Sequence, residues 1–179
     1  MDSIYYSYYS SPVGNLLMIA QQGKLTNLDC ELEQTAPNPK WILNNELPLF
    51  RQVKSALDRY FSGEKEDFSD IPLNPQGTTF QQSIWQALRR IQLGKTTSYG
   101  ELARLINNPK AVRAVGGAVG SNPISIIIPC HRVLGKNGQL TGFGGGLPMK
   151  RFLLNLEKIR YVDKGVEYVK QKLLKKYTA

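Results

Sequence analysis

The sequence predicts an α/β chain built as two domains, a small N-terminal domain of antiparallel strands and one helix, then a C-terminal domain of short helices. Three observations predict it. Within residues 4–32, apolar stretches at 16–20 and 25–28 flank Gln21-Gln22-Gly23-Lys24, a hairpin turn signal. Beyond residue 77, helix-start signals follow one another in series. Between them, the acidic stretch 64–70 and then Pro72, Pro75 and Gly77 read as a linker, so the domains are set at 1–76 and 77–160, with a basic tail over 161–179.

Each element has a local reason. Pro12-Val13-Gly14-Asn15 predicts a first strand turn and Gln21 to Lys24 a second. Residues 34–40, with Pro37 and Pro39, form a connecting loop. Leu49, Phe50, Val53, Leu57, Tyr60 and Phe61 recur at helical spacing over 48–62, and Gly63 supplies the stop. Thr79-Phe80-Gln81-Gln82 reads as a capping box that opens a helix with Phe80, Ile84, Leu88 and Ile91 on one face. Ser98-Tyr99-Gly100-Glu101 reads as a second box, opening a helix through Ile106. Asn108-Pro109 supplies a cap residue and first-turn proline for a third helix over 110–120, closed by Asn122-Pro123. Two short helices joined at Asn107-Asn108 make a helix-turn-helix. Residues 124–128 are expected to be extended, 135–138 to turn the chain back, and 148–157 to form a last helix. In the tail, Val166, Val169 and Leu173 share one helical stripe among lysines, the pattern of a solvated helix packed on one face.

Composition narrows the function. Residues 1–79 carry 6 basic and 10 acidic side chains and residues 80–179 carry 17 and 4, so the net charge of +9 comes wholly from the second half. A basic half-molecule points to a polyanion partner. No apolar run approaches the roughly 20 residues of a membrane span, and the start shows no charged-then-apolar leader pattern, so a cytoplasmic protein is expected. Two cysteines, Cys30 and Cys130, and one histidine, His131, do not make a disulfide scaffold or a four-ligand zinc site. No metal or cofactor is expected; any cysteine chemistry is that of a thiol.

Two segments carry that chemistry. The third helix holds Gly116 and Gly117 in its interior, each costing about 1 kcal/mol against Ala. Either the helix packs tightly there, or a backbone free of side chains, beside Lys110 and Arg113, presses into a groove of nucleic acid. The second segment is Ile126-Ile127-Ile128-Pro129-Cys130-His131-Arg132-Val133. On extended chain, adjacent side chains point apart, so His131 acts on Cys130 only across a bend or through a water. A thiol ordinarily near pKa 8.5 is lowered to roughly 3.5–7.5 by an imidazole partner, which would make Cys130 a nucleophile. Glu157, late in the last helix, is the candidate to orient and charge-balance the imidazole. Cys30 has no basic neighbour and reads as packing.

The run Pro129-Cys130-His131-Arg132-Val133, preceded by Ala111-Val112-Arg113-Ala114-Val115-Gly116-Gly117-Ala118 and Asn122-Pro123, closely resembles the O6-alkylguanine-DNA alkyltransferases, the methylated-DNA–protein-cysteine methyltransferases. Ser98-Tyr99-Gly100-Glu101-Leu102-Ala103 and Gly144-Gly145-Gly146-Leu147 match in register, so the resemblance spans about residues 77–160. It implies a ribonuclease-H-like N-terminal domain and a winged-helix-like helix-turn-helix domain. It implies direct-reversal repair: O6-alkylguanine, with O4-alkylthymine as a second candidate lesion, is flipped from double-stranded DNA and its alkyl group moves to Cys130 once. It assigns His131 as water-mediated base, Glu157 as its partner, Tyr99 as proton donor to guanine N3, and Asn122 as the tie from helix end to cysteine segment. Arg113 fills the gap in the base stack, with Lys110, Ala114, Gly117, Tyr99 and Arg132 also at the DNA. Phe143, Gly144, Gly145 and Lys150 line the base pocket. Phe143-Gly144 replaces the Tyr and Ser or Arg of many members, so backbone amides take over hydroxyl contacts. A monomer is expected. The alternatives are a sensor that binds lesions without repairing them, from which the family's acceptor cysteine is missing, and a cysteine hydrolase, which needs an oxyanion hole and turns over.

Overall fold

The computed structural model of the chain describes residues 2–30, 37–143 and 146–163. Strands β1 (Ile4–Ser11), β2 (Gly14–Gln21) and β3 (Lys24–Cys30) form the expected antiparallel meander, with Tyr6 opposite Ile19 and Met18 opposite Leu28. The second turn places Gln22 and Gly23 at φ 54° and 74°, the paired left-handed geometry that suits a two-residue hairpin. A two-residue strand β4 (Ile42–Leu43) joins β1 in parallel, giving the order β3-β2-β1-β4. Two residues are too few to show a period, so β4 leaves no signal in the sequence.

Helix α1 (Pro48–Phe61) starts on its proline and buries Leu49, Phe50, Val53, Ala56, Leu57 and Tyr60, one stripe, in the same core as Leu16, Met18 and Ala20 of β2. The segment after it is more than a linker. Phe68 and Ile71 are buried, the Leu25 amide donates to Pro72 O at 2.9 Å, and the Asn74 amide donates to Leu25 O at 2.8 Å. Further along the same edge of β3, the Leu28 amide donates to Pro123 O at 2.9 Å and the Ser125 amide to Leu28 O at 2.8 Å. The sheet edge is thereby covered, and the N-terminal domain is stitched to the segment that leads to Cys130.

In the second half, α2 (Thr79–Arg89) begins one residue earlier than expected: Thr78 and Gln81 form the capping box. A Cβ on Gly77 would fall 2.4 Å from the Trp85 ring, so glycine is what lets the chain enter the helix there. Strand β5 (Thr97–Ser98) leads into α3 (Tyr99–Leu105), where Ser98 Oγ accepts the Glu101 amide at 3.1 Å. The Glu101 carboxylate accepts from Thr97 Oγ1 instead, so this second box is only half made. Asn107, at φ 60°, ends the helix. Helix α4 covers Val112–Gly120 with Ala111 as an uncapped start. Asn108 and Pro109 belong to a turn closed by the Ala111 amide on Asn108 O, which corrects the expected cap and the start at 110.

The expected extended run at 124–128 is also corrected. The Ile127 amide donates to Ser125 O at 2.8 Å, placing Ile126 at φ 73° in a tight three-residue turn, and the Ile128 amide donates to Ile124 O. Cys130 then opens a 3₁₀ turn, Cys130–Arg132, followed by β6 (Val133–Leu134), which pairs in parallel with β5. The turn over 135–138 forms, and α5 spans Leu147–Leu156. Val162 bonds back to Gly138 and Leu140. The tail stripe at Val166, Val169 and Leu173 and the pocket residues Gly144 and Gly145 lie outside the described residues. No described helix is long and apolar enough to cross a membrane.

Candidate active site

Cys130 is held from below by its own segment. Its amide donates to Ile128 O at 2.7 Å, and the same oxygen accepts Asn122 Nδ2 at 2.8 Å. Asn122 Oδ1 accepts the Ile124 amide at 3.0 Å, so one side chain, two residues beyond α4, clasps both ends of the turn that precedes the cysteine. Cys130 is 5% exposed. Burial pushes its thiol up to about 11, against a smaller lowering by Asn122 and by the Lys150 charge. The expected lowered pKa is therefore corrected: the resting group is a thiol, because desolvation of the anion outweighs every nearby donor.

Behind it, His131 is fully buried, and burial holds its imidazole below the ordinary range and so neutral. Its Nε2 lies 2.5 Å from Glu157 Oε2. Burial alone would raise the Glu157 pKa, but the hydrogen bonds and charges of His131 and Arg132 outweigh it and keep the carboxyl ionised. An ionised carboxylate only accepts, so Nε2 carries the imidazole proton and Nδ1 is bare. His131 Nδ1 is also the only buried side-chain N or O atom among the described residues without a hydrogen-bond partner. The sequence brings histidine and carboxylate from 26 residues apart onto one bond.

Arg132, expected at the DNA, points inward. It is buried, with Nε donating to Glu157 Oε1 at 2.6 Å and Nη1 to Ile91 O at 2.6 Å, so it anchors the carboxylate rather than a phosphate. Tyr60, read from sequence only as a core residue, donates its hydroxyl to Glu157 Oε2.

Tyr99 OH and Thr141 Oγ1 hydrogen-bond at 3.0 Å. Lys150 Nζ donates to Thr141 Oγ1 at 3.1 Å and to Val133 O at 2.7 Å. Burial lowers Lys150 to about 8, partly offset by Cys130. Phe143 packs beside the main core. Thr141 is a link the sequence reading missed, since a threonine in a loop carries no pattern.

Helix α4 presents Arg113, Ala114 and Gly117 to solvent, with Lys110 exposed just before it. A Cβ at Gly117 would meet nothing within 4 Å, and at Gly116 only the Tyr99 ring at 3.9 Å. Tight internal packing therefore does not explain Gly117. Helix α2 supports α4 from behind through Trp85 Nε1, which donates to Ala118 O at 2.8 Å.

Comparison with known proteins places this arrangement. Residues 79–159 match the DNA binding domain of 6-O-methylguanine DNA methyltransferase, and residues 4–75 match its ribonuclease-like domain. A methylated-DNA–protein-cysteine methyltransferase of Haemophilus influenzae is 64% identical over 177 residues, 99% of each chain. The constitutive enzyme of Bacillus subtilis is 42% identical over 164 residues, covering 89% of this chain and 99% of that one. The crystal structure of Mycobacterium tuberculosis OGT in complex with DNA superposes with a TM-score of 0.79 at 47% identity, over 86% of this chain and 92% of that one. The chain belongs to the methylated-DNA–protein-cysteine methyltransferase family.

Proposed function

We propose that this chain repairs O6-alkylguanine in duplex DNA by moving the alkyl group irreversibly onto Cys130. The observation that carries the reading is the bare, buried Nδ1 of His131, whose other nitrogen is held by Glu157: a neutral base on the residue next in sequence to a buried cysteine. The exposed face of α4, with Arg113, Ala114 and Gly117, enters the minor groove, and Lys110 meets the backbone. Arg113 takes the place of the target nucleotide, which swings in towards Tyr99, Phe143 and Lys150. Flipping is required because a thiol this deep cannot reach a stacked base.

In the transfer, the Cys130 proton passes through a water to His131 Nδ1, and Glu157 balances the imidazolium. Sulfur forms its bond to the alkyl carbon as the bond from that carbon to O6 breaks. The leaving guanine takes a proton at N3 from Tyr99, whose oxygen is in turn supported by Thr141 and Lys150. A thiolate made only at that moment, in a site that solvates it poorly, is a strong nucleophile. The product thioether has no leaving group, so one molecule repairs one lesion. O4-alkylthymine presents the same carbon on an exocyclic oxygen and is a second substrate. The lesion-sensor reading is not favoured, because the acceptor Cys130 is present. The protein works as a monomer in the cytoplasm, with domains at 1–76 and 77–160 and a basic tail from 161. The test is an oligonucleotide duplex carrying labelled O6-methylguanine: label is expected on the peptide containing Cys130 and is lost in Cys130→Ser. Label on any other residue overturns the assignment.

A further inference from the structure

The carboxylate behind His131 is held by more than the family's thiol, imidazole and carboxylate need, and the extra donor comes from the other domain. Glu157 Oε1 accepts Arg132 Nε at 2.6 Å, and Oε2 accepts both His131 Nε2 and the Tyr60 hydroxyl, each at 2.5 Å. Tyr60 lies in the last turn of α1, 97 residues from Glu157. Its ring is wedged between Phe61, edge-on at 5.2 Å, and Phe68, tilted at 5.6 Å, so the hydroxyl has one direction. We infer that Tyr60 is a positioning residue for the transfer: by sharing Oε2 with His131, its hydroxyl limits how strongly Glu157 pulls on the imidazole and so keeps His131 a neutral base. This rests on the reading proposed above.

The physical argument is one of shared charge. Each donor on Oε2 takes up part of the carboxylate's negative charge, and what remains stabilises a protonated His131. With both donors in place, burial wins and the imidazole stays neutral. Without the phenol, the carboxylate faces His131 alone on that oxygen and favours the imidazolium, which cannot accept the Cys130 proton. Burial and the Glu157 charge push the Tyr60 phenol far above its ordinary value, so it remains a donor at every pH of interest. The other charges facing this cluster are Arg132 on the same turn, Lys150 of α5 acting on His131, and Glu64, Lys65 and Lys158, which line a small cleft with Tyr60 and Glu157. A Tyr60→Phe substitution leaves all of them in place.

His131 is the chain's only histidine, so its imidazole nitrogens are read without assignment ambiguity. In Tyr60→Phe, the acid limb of single-turnover methyl transfer should move to higher pH, with a rate about three- to tenfold lower at pH 6 and within about twofold of the parent at pH 8. The His131 nitrogen shifts should titrate over the same displaced range. Phe50→Leu, a core truncation in the same helix that removes no hydrogen-bonding group, serves as the packing control and should leave the profile in place. Coincident profiles for Tyr60→Phe and the parent, or an equal displacement in Phe50→Leu, would overturn the role of the hydroxyl while leaving the transfer itself standing. Loss of transfer to Cys130 in the parent would instead sink the reaction. Should Tyr60→Phe not fold, the parent still answers: its Tyr60 hydroxyl proton should be protected from exchange and shift as His131 titrates, and a freely exchanging phenol contradicts the inference.

Discussion

The exposed face of α4 and the buried cluster around Cys130 lie on either side of Asn122 and are built by opposite rules. On α4, Arg113, Ala114 and Gly117 stand open, the helix has no side-chain cap, and a Cβ at Gly117 would touch nothing. Around Cys130, side chains from α1, the 130–132 turn and the end of α5 saturate one another, and a single nitrogen, His131 Nδ1, is left over. The difference teaches how to find each kind of site. A surface that receives another macromolecule shows up as stability given away without internal gain. A reactive interior shows up as the one buried polar atom that its neighbours do not satisfy.

Substitutions can break that contrast, and the largest effect belongs to the thiol. Cys130→Ala should abolish transfer while duplex binding stays within about twofold, because affinity for duplex is dominated by phosphate electrostatics, to which a neutral buried thiol adds nothing. Cys30→Ala should keep both, since Cys30 Sγ lies against Met149 and burial raises its pKa. Label transfer and gel shift decide it; an inactive Cys30 variant would reverse the assignment.

Next comes the open face. Arg113→Ala should slow transfer on duplex by about 100-fold, the few kcal/mol of an unsupported flip, yet leave a free alkylated base unaffected and the melting midpoint unchanged. Equal losses on both substrates would move Arg113 into the chemistry.

At the joint, Asn122→Ala removes two buried hydrogen bonds at roughly 1–3 kcal/mol each. With about 2–4 °C per kcal/mol for a chain of this size, a fall of several degrees is expected, together with slower transfer. A midpoint within a degree of the parent would show that the two regions are not coupled there.

The interior should also announce itself through pH. His131 and Glu157 both have pKa values below their ordinary ones in the folded protein. The stability they confer is present above their unfolded values and lost as pH falls, first below about 6.5 for His131 and then below about 4.3 for Glu157. Melting midpoints should therefore decline from pH 7 towards 5 and more steeply below. A flat profile down to pH 5 contradicts a buried neutral imidazole.

The smallest effect sharpens the contrast most. Gly117→Ala should raise the midpoint of the free protein by about 2–4 °C, a helix gain of about 1 kcal/mol, while weakening duplex binding. A stabilised variant with unaltered binding would return Gly117 to an accident of the helix.

Much of this was legible in the chain itself, and what was not has physical reasons. Hairpins, α1 and the helix-turn-helix follow from period and turn chemistry, which are local. Adjacent Thr78 and Thr79 each have a glutamine three residues on, so the local pattern does not select between them, and the structure caps on Thr78. Ile126-Ile127-Ile128 has the composition of a strand, yet the Asn122 side chain just before it and Leu28 O, far away in sequence, hold that segment in turns. Cys130 and His131 stand out because they are nearly alone of their kind, whereas Tyr99, Asn122 and Lys150 come from the family resemblance and not from any local pattern. Tyr60 and Thr141 were missed because their partners are 97 and 42 residues away and no spacing encodes that. The inward turn of Arg132 was hidden for the same reason: a basic residue beside a nucleophile has two possible anions to meet, and only the fold supplies Glu157. The thiol's pKa went against expectation because adjacency in sequence says nothing about desolvation.

The most direct test counts events. Protein at known concentration is mixed with excess duplex bearing O6-methylguanine, and transferred methyl groups are followed to completion by intact mass and peptide mapping. The account predicts that transfer stops at one methyl group per protein, all of it on Cys130, with no restoration of activity afterwards. Continued turnover, no transfer, or a methyl group on Cys30 would contradict it.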